Sequence, residues 1–269
     1  MQRRQFLTSS LAVSAMAIDA WSDSLQAGQH GAEPSGREYY ELRRYHLQSG
    51  PQQKLTNSFV ADALIPALNR LGMKPVGAFE LYLGPETPSL YLLIPSTSLE
   101  TLVNAEFRLA RDEEYQRAGG FFLNAPAKEP PYLRMESSLM TAFEGWPKLT
   151  LPAATAQNGS RVFQLRTYES PTHQDHRRKV EMFNSGEFGV FQRAGFWQVF
   201  YGDTLIGSHL PNLTYMLSFP DLSELNAKWK SFGADPEWKK LRTSPRFSFE
   251  EIVSNITSLI LNPTSYSQI

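Results

Sequence analysis

Tyr40-Glu41-Leu42-Arg43-Arg44-Tyr45 recurs further along the chain as Phe163-Gln164-Leu165-Arg166-Thr167-Tyr168, and the flanking sequence repeats in step with it. Arg70-Leu71-Gly72 answers Arg193-Ala194-Gly195 at the same offset. Gly84, Pro88, Leu90 and Ile94 fall on Gly207, Pro211, Leu213 and Leu217, and Asp112-Glu113-Glu114-Tyr115 falls on Asp235-Pro236-Glu237-Trp238. A register held over that length without a gap marks one structural unit written twice.

The unit can be read element by element. Tyr39 to Tyr45 and Val162 to Tyr168 alternate as strands do. After Gly50-Pro51, the residues Leu55, Phe59, Leu64, Leu68 and Leu71 recur at helical spacing, and Gly72 ends the run. The second copy carries Val180, Phe183, Glu187, Phe191 and Ala194 up to Gly195, with Thr172 and Asp175 spaced as a capping box. Two strands follow in each copy, Pro75 to Tyr82 with Ser89 to Ile94, and Phe196 to Tyr201 with Asn212 to Phe219. Second helices start at Ser98 and Asp221, the latter with Leu222, Leu225, Trp229 and Phe232 along one face. Last strands are expected over Leu133 to Phe143 and Glu250 to Leu261.

The order β-α-β-β-α-β is the ferredoxin-like arrangement, so the fold class is α+β. Both helices of such a unit cover one face of its sheet, and the bare face must be buried against something. Two tandem repeats, 37–145 and 160–269, are therefore expected to pack sheet to sheet as an internal pseudo-dimer. The stretch 146–159, rich in Pro, Ala, Thr and Gly, reads as the linker.

Residues 1–36 read as an export leader and tail. Met1-Gln2-Arg3-Arg4-Gln5-Phe6-Leu7 resembles the twin-arginine signal of bacteria, a mildly apolar run from Leu11 to Ile18 follows, and Ala15-Met16-Ala17 supplies a small-x-small cleavage pattern. The expected location is periplasmic or secreted; a mitochondrial transit peptide is the alternative. The apolar run is too short for a permanent membrane span.

Composition narrows the function classes. At 269 residues, with 41% apolar and 20% charged residues, the chain is that of a globular protein. A net charge of -1 supplies no basic field for nucleic acid. With no cysteine, disulfides, thiolate nucleophiles and cysteine-based metal sites are excluded. The chain carries no Gly-rich phosphate loop, Ser nucleophile elbow or His-Glu-x-x-His pattern.

The motifs Tyr-x-Leu-Arg-x-Tyr, Leu-Pro-x-Leu-Thr-Tyr-Met-Leu and Trp-x-x-Phe-x-x-Asp-Pro-Glu-Trp resemble those of the NIPSNAP family. The second copy carries them as Leu165-Arg166-Thr167-Tyr168, as His209 to Tyr215, and as Trp229, Phe232 and Asp235-Pro236-Glu237-Trp238. The first copy departs from the pattern, with Glu86 in place of His209, Glu106 in place of Trp229 and Glu113 in place of Pro236. The resemblance implies a dimeric α/β-barrel fold, a class that also holds cofactor-independent monooxygenases and haem-dependent peroxidase-like enzymes.

No catalytic constellation emerges, and no cofactor is assigned. With Leu42 and Leu165 taken as helix-facing, Arg43, Tyr45, Arg166 and Tyr168 are expected to face the space between the sheets. They would line a pocket there, with His209 near one opening, and an inward guanidinium would favour a carboxylate or other planar anion. The competing reading braces each arginine with an acidic neighbour. His209 could also act as a base or haem ligand, although a lone histidine of this kind is more often a hydrogen-bonded turn residue. His173 and His176 at a helix start lack a third metal ligand, and the spacing of Trp229 and Trp238 with Leu222, Leu225 and Phe232 is that of core packing. Two functions follow: an exported protein that binds a small molecule or a protein partner through its barrel, or a barrel enzyme of the monooxygenase or peroxidase kind.

Overall fold

The computed structural model describes residues 36–269 apart from 85, 157 and 158. The reading of residues 1–35 as an export leader and tail lies outside the described residues. From Gly36 onward the elements run β1 (Tyr39–His46), α1 (Pro51–Phe59), α2 (Ile65–Arg70), β2 (Gly77–Leu81), β3 (Ser89–Ser96), α3 (Leu99–Val103), α4 (Ala105–Leu109), α5 (Glu113–Leu123) and β4 (Arg134–Ala142). After a short α6 (Ala153–Ala156) come β5 (Val162–Glu169), α7 (His173–Met182), α8 (Phe188–Arg193), β6 (Trp197–Ile206) and β7 (Asn212–Phe219). The remainder is α9 (Leu222–Ala234), α10 (Pro236–Arg242), α11 (Phe249–Ile252) and β8 (Asn255–Pro263).

Local chemistry places these boundaries. Thr172 accepts from the Asp175 amide at 3.1 Å, Ser98 from Thr101 and Asp221 from Glu224, each satisfying an amide that the first helical turn leaves without a partner. Gly72 and Gly195 adopt φ of 82° and 75°, the left-handed conformation that ends a helix and that a side chain would strain. Each first helix is continued by a π turn, Val60–Leu64 after α1 and Phe183–Glu187 after α7. The expected last strand is shortened at its start. Residues Phe249–Ile252 form a helical turn, and the strand begins at Asn255.

All strand pairings are antiparallel, and the strands close into a barrel in the order β1-β3-β2-β8-β5-β7-β6-β4. The two sheets do not merely face each other. They join at both edges, β2 with β8 through Phe79↔Pro263 and β4 with β6 through Ala142↔Gly202. Helices coat the outside.

The described residues form three apolar cores. One lies under α1 to α5, around Phe59, Leu64, Leu92 and Phe122. A second lies under α7 to α11, around Phe183, Phe191, Tyr215 and Phe232. The third fills the barrel with residues from both halves, among them Tyr40, Phe79, Leu93, Met140, Phe163, Phe200, Met216 and Ile269. Among the described residues no helix is long and apolar enough to cross a membrane.

Candidate functional site

The antiparallel order brings the last residues of β1 and β5 and the first residues of β3, β4, β7 and β8 to one end of the barrel. There the apolar filling stops. A cavity of about 630 Å³ opens, with Leu42, Tyr91, Leu165 and Leu259 below and polar side chains above. The sequence dictates this gradient: along inward positions, β1 reads Tyr40, Leu42, Arg44 and β5 reads Phe163, Leu165, Thr167, each turning polar as it reaches water.

The rim is a hydrogen-bonded ring with a charged corner. Arg44 donates to Glu86 and Glu136, each at 2.6 Å, and to the Tyr91 hydroxyl at 3.2 Å. Burial pushes the Glu136 carboxyl up, but the hydrogen bond and charge of Arg44, with His46 alongside, outweigh it and hold Glu136 below its ordinary value. Burial also raises the Tyr91 phenol, against the opposing pull of Arg44. Across the mouth, Asn255 donates to Glu169 at 2.8 Å, and the Thr167 and Thr214 hydroxyls bond each other at 2.8 Å. Asn212 accepts from Thr204 and donates to the Ser208 and His209 carbonyls, fixing the turn before β7. An added Cβ on Gly207 would approach Ser138 Oγ to 2.6 Å, so a side chain there would require that hydroxyl to rotate away from the turn.

His209 belongs to this rim. Its φ is 59°, its side chain is 70% exposed, and Nδ1 lies 3.8 Å from Glu169 Oε1. The lining does not fit a haem. Such a group needs an axial ligand over an apolar slot, whereas this histidine stands outward at the mouth and hydroxyl and carboxylate groups ring the opening.

The other four expected pocket residues lie elsewhere. Tyr45 packs in the core beneath α1 to α5, at 6.4 Å from the Phe122 ring, and Tyr168 packs beneath α7 to α11. Arg43 and Arg166 share that outward parity, while Leu42 and Leu165 point into the barrel. The expected orientation is thus inverted. Both faces of a barrel strand are covered, so alternation shows two faces without showing which is inside. At these positions of β1 and β5 the interior takes Leu42 and Leu165, and the helix side takes Arg43, Tyr45, Arg166 and Tyr168, whose stems pack under helices.

The residues missed by that parity are Arg44, Glu136, Glu169, Thr167 and Thr214, and the inward polar gradient was the signal for them. His176 is held by Asp203 at 2.7 Å, which ties α7 to β6. Among the described residues no group of three His, Asp or Glu side chains is arranged to hold a metal.

Behind β5 the second half buries further charge. Lys179 in α7 donates to Glu187 in the following π turn, and both are shielded from water. Burial pushes the lysine down and the glutamate up, towards the neutral pair, while each partner opposes that shift in the other. At the matching offset the first half carries Thr56 and Leu64.

Residues 163–268 match the family model described as NIPSNAP. The match lies within the second half of the chain. Among solved structures, the chain resembles a "putative monooxygenase" from Lactobacillus acidophilus NCFM, at 6% identity and TM-score 0.54 over 84% of this chain and 94% of that one, a likeness of fold alone. An uncharacterized NIPSNAP-like domain protein from Burkholderia xenovorans matches at 19% identity and TM-score 0.36, over 40% of this chain and 88% of that one. A NIPSNAP family protein from Agrobacterium tumefaciens C58 matches at 18% identity and TM-score 0.36, over 40% and 96%. None of the curated proteins matches the chain. The NIPSNAP match takes in Arg166, Tyr168, Lys179, Glu187, His209 and Trp229.

Proposed function

We propose that the chain binds a small molecule in the mouth of its barrel. The observation that carries this reading is the cavity itself, about 630 Å³, with an apolar floor under a ring of hydroxyl, amide and carboxylate groups. Space of that size with few convergent polar groups is the usual form of a ligand site. The charge of the mouth selects against acids. Arg44 is already engaged by two carboxylates, and Glu169 adds a third, so an anion would meet net negative potential. A neutral or cationic molecule with an apolar body and hydrogen-bond donors suits the lining.

Native mass spectrometry of protein purified from its own host tests this. A retained mass that disappears in Leu165→Trp, with the far-UV spectrum unchanged, supports the cavity. A retained mass indifferent to that substitution overturns it. So does the absence of any retained mass together with no melting shift across a set of small amines and alcohols.

Two further elements belong to the reading. The halves 37–145 and 160–269 are two copies of one NIPSNAP-type unit joined by 146–159; the matching offsets and the repeated element order support this. The protein acts outside the cytoplasm after twin-arginine export, for which Arg3-Arg4 and Ala15-Met16-Ala17 are the support.

A further inference from the structure

The two halves treat equivalent arginines differently. Arg43 in β1 is only 5% exposed and is gripped by carboxylates. Its Nε donates to Glu41 Oε1 at 2.7 Å, its Nη2 to Glu41 Oε2 at 3.1 Å, and Glu106 from α4 reaches Nη2 at 2.8 Å. At the same offset, the second half carries Gln164 for Glu41 and Trp229 for Glu106.

Neither replacement supplies a negative charge to Arg166. Gln164 is occupied elsewhere, donating to Ser258 Oγ at 2.9 Å and accepting from Trp229 Nε1 at 2.7 Å. The Trp229 ring covers one face of the guanidinium, with Cζ 4.6 Å from the ring centre. Arg166 Nε and Nη2 both converge on one neutral oxygen, Tyr168 Oη, at 3.3 and 3.1 Å. Among the described residues no carboxylate lies within ion-pair distance of Arg166. The nearby Lys179–Glu187 pair contributes no net charge, so the partly buried layer holds an uncompensated cation.

We propose that Arg166 is the binding position for a small planar carboxylate, which supplies the counter-charge that Glu41 and Glu106 supply to Arg43 in the first half. A partly desolvated guanidinium gains most from an anion matching its paired donors. The approach is open on the β8 side. Arg166 pairs in register with Ser258, which is exposed, as is its neighbour Ile256. Trp229 would then serve as an apolar wall beside the carboxylate's body, fixing its plane against the stacked guanidinium.

Benzoate is the probe, with neutral benzamide as control, read from the Arg166 Nε–H resonance and from the melting temperature. Benzoate should shift both saturably, and benzamide should shift neither. Arg166→Gln should weaken the response by about tenfold or more. Gln164→Glu restores the internal carboxylate of the first half and should abolish the benzoate response while raising the melting temperature. No saturable shift in the folded wild type overturns the proposal, and so does an undiminished response in Gln164→Glu. A response to an acidic peptide but not to benzoate overturns the small-acid assignment. Should Arg166→Gln fail to fold, Gln164→Glu and benzamide still decide.

Discussion

Arg193 donates to both carboxylate oxygens of Asp235, at 2.9 and 3.0 Å, and the same carboxylate caps α10 by accepting from the amides of Glu237 and Trp238. Arg70 and Asp112 repeat the pairing in the first half, where Asp112 caps α5 through Tyr115. The two roles of Asp235 are separable. Arg193 is half exposed, so the ion pair adds little, whereas loss of a cap costs about 1 to 2 kcal/mol. Asp235→Asn keeps a capping oxygen and is expected to fall near wild type in urea unfolding; Asp235→Ala is expected to lose the larger amount.

Removing one member of the Lys179–Glu187 pair leaves the other buried without its partner. Lys179→Met and Glu187→Leu are each expected to cost about 3 to 5 kcal/mol in urea unfolding. The double variant is expected to be more stable than either single one, because it removes both charges and leaves apolar chains among Phe183, Trp238 and Phe249. Additive losses in the double variant would contradict this coupling.

Stability at low pH should report on the barrel mouth. The Glu136 carboxyl is held below its ordinary value, so its contribution is present above its unfolded pKa of about 4.3 and is lost as pH falls through the folded value. The melting temperature of Glu136→Gln is therefore expected to lie below wild type near pH 6 and to converge with it on acidification. The gap is expected to be small, since the side chain is about half exposed. A gap that stays constant down to pH 3 would show that Arg44 does not hold the ionised form.

Replacing Arg3 and Arg4 together by lysine is expected to retain the protein in the cytoplasm, as measured by fractionation with and without the change. Unchanged export would make the pair incidental.

Much of this architecture was legible in the sequence because the repeat supplied two independent readings of each element. Thr172 with Asp175, Gly72 with Gly195, and the strand starts at Tyr39 and Val162 all stand where capping and alternation put them. The parity of β1 and β5 was not legible, since helix-facing Arg43 and barrel-facing Leu42 lie on two covered faces and nothing local says which is which. The departures between copies proved the better guide to the site. Glu106 and Trp229 are the groups that meet Arg43 and Arg166, and Glu86 and His209 both stand at the mouth, one on Arg44 and one beside Glu169.

Both seams of the barrel are closed within a single polypeptide. No strand edge among the paired strands is left to recruit another chain, which removes the commonest route to sheet-mediated aggregation. A barrel assembled from two identical chains would carry every substitution twice, on both sides of its axis. Here a change lands once, so one half holds its arginine among acids while the other holds its arginine against an indole ring, and each can be altered without touching its counterpart.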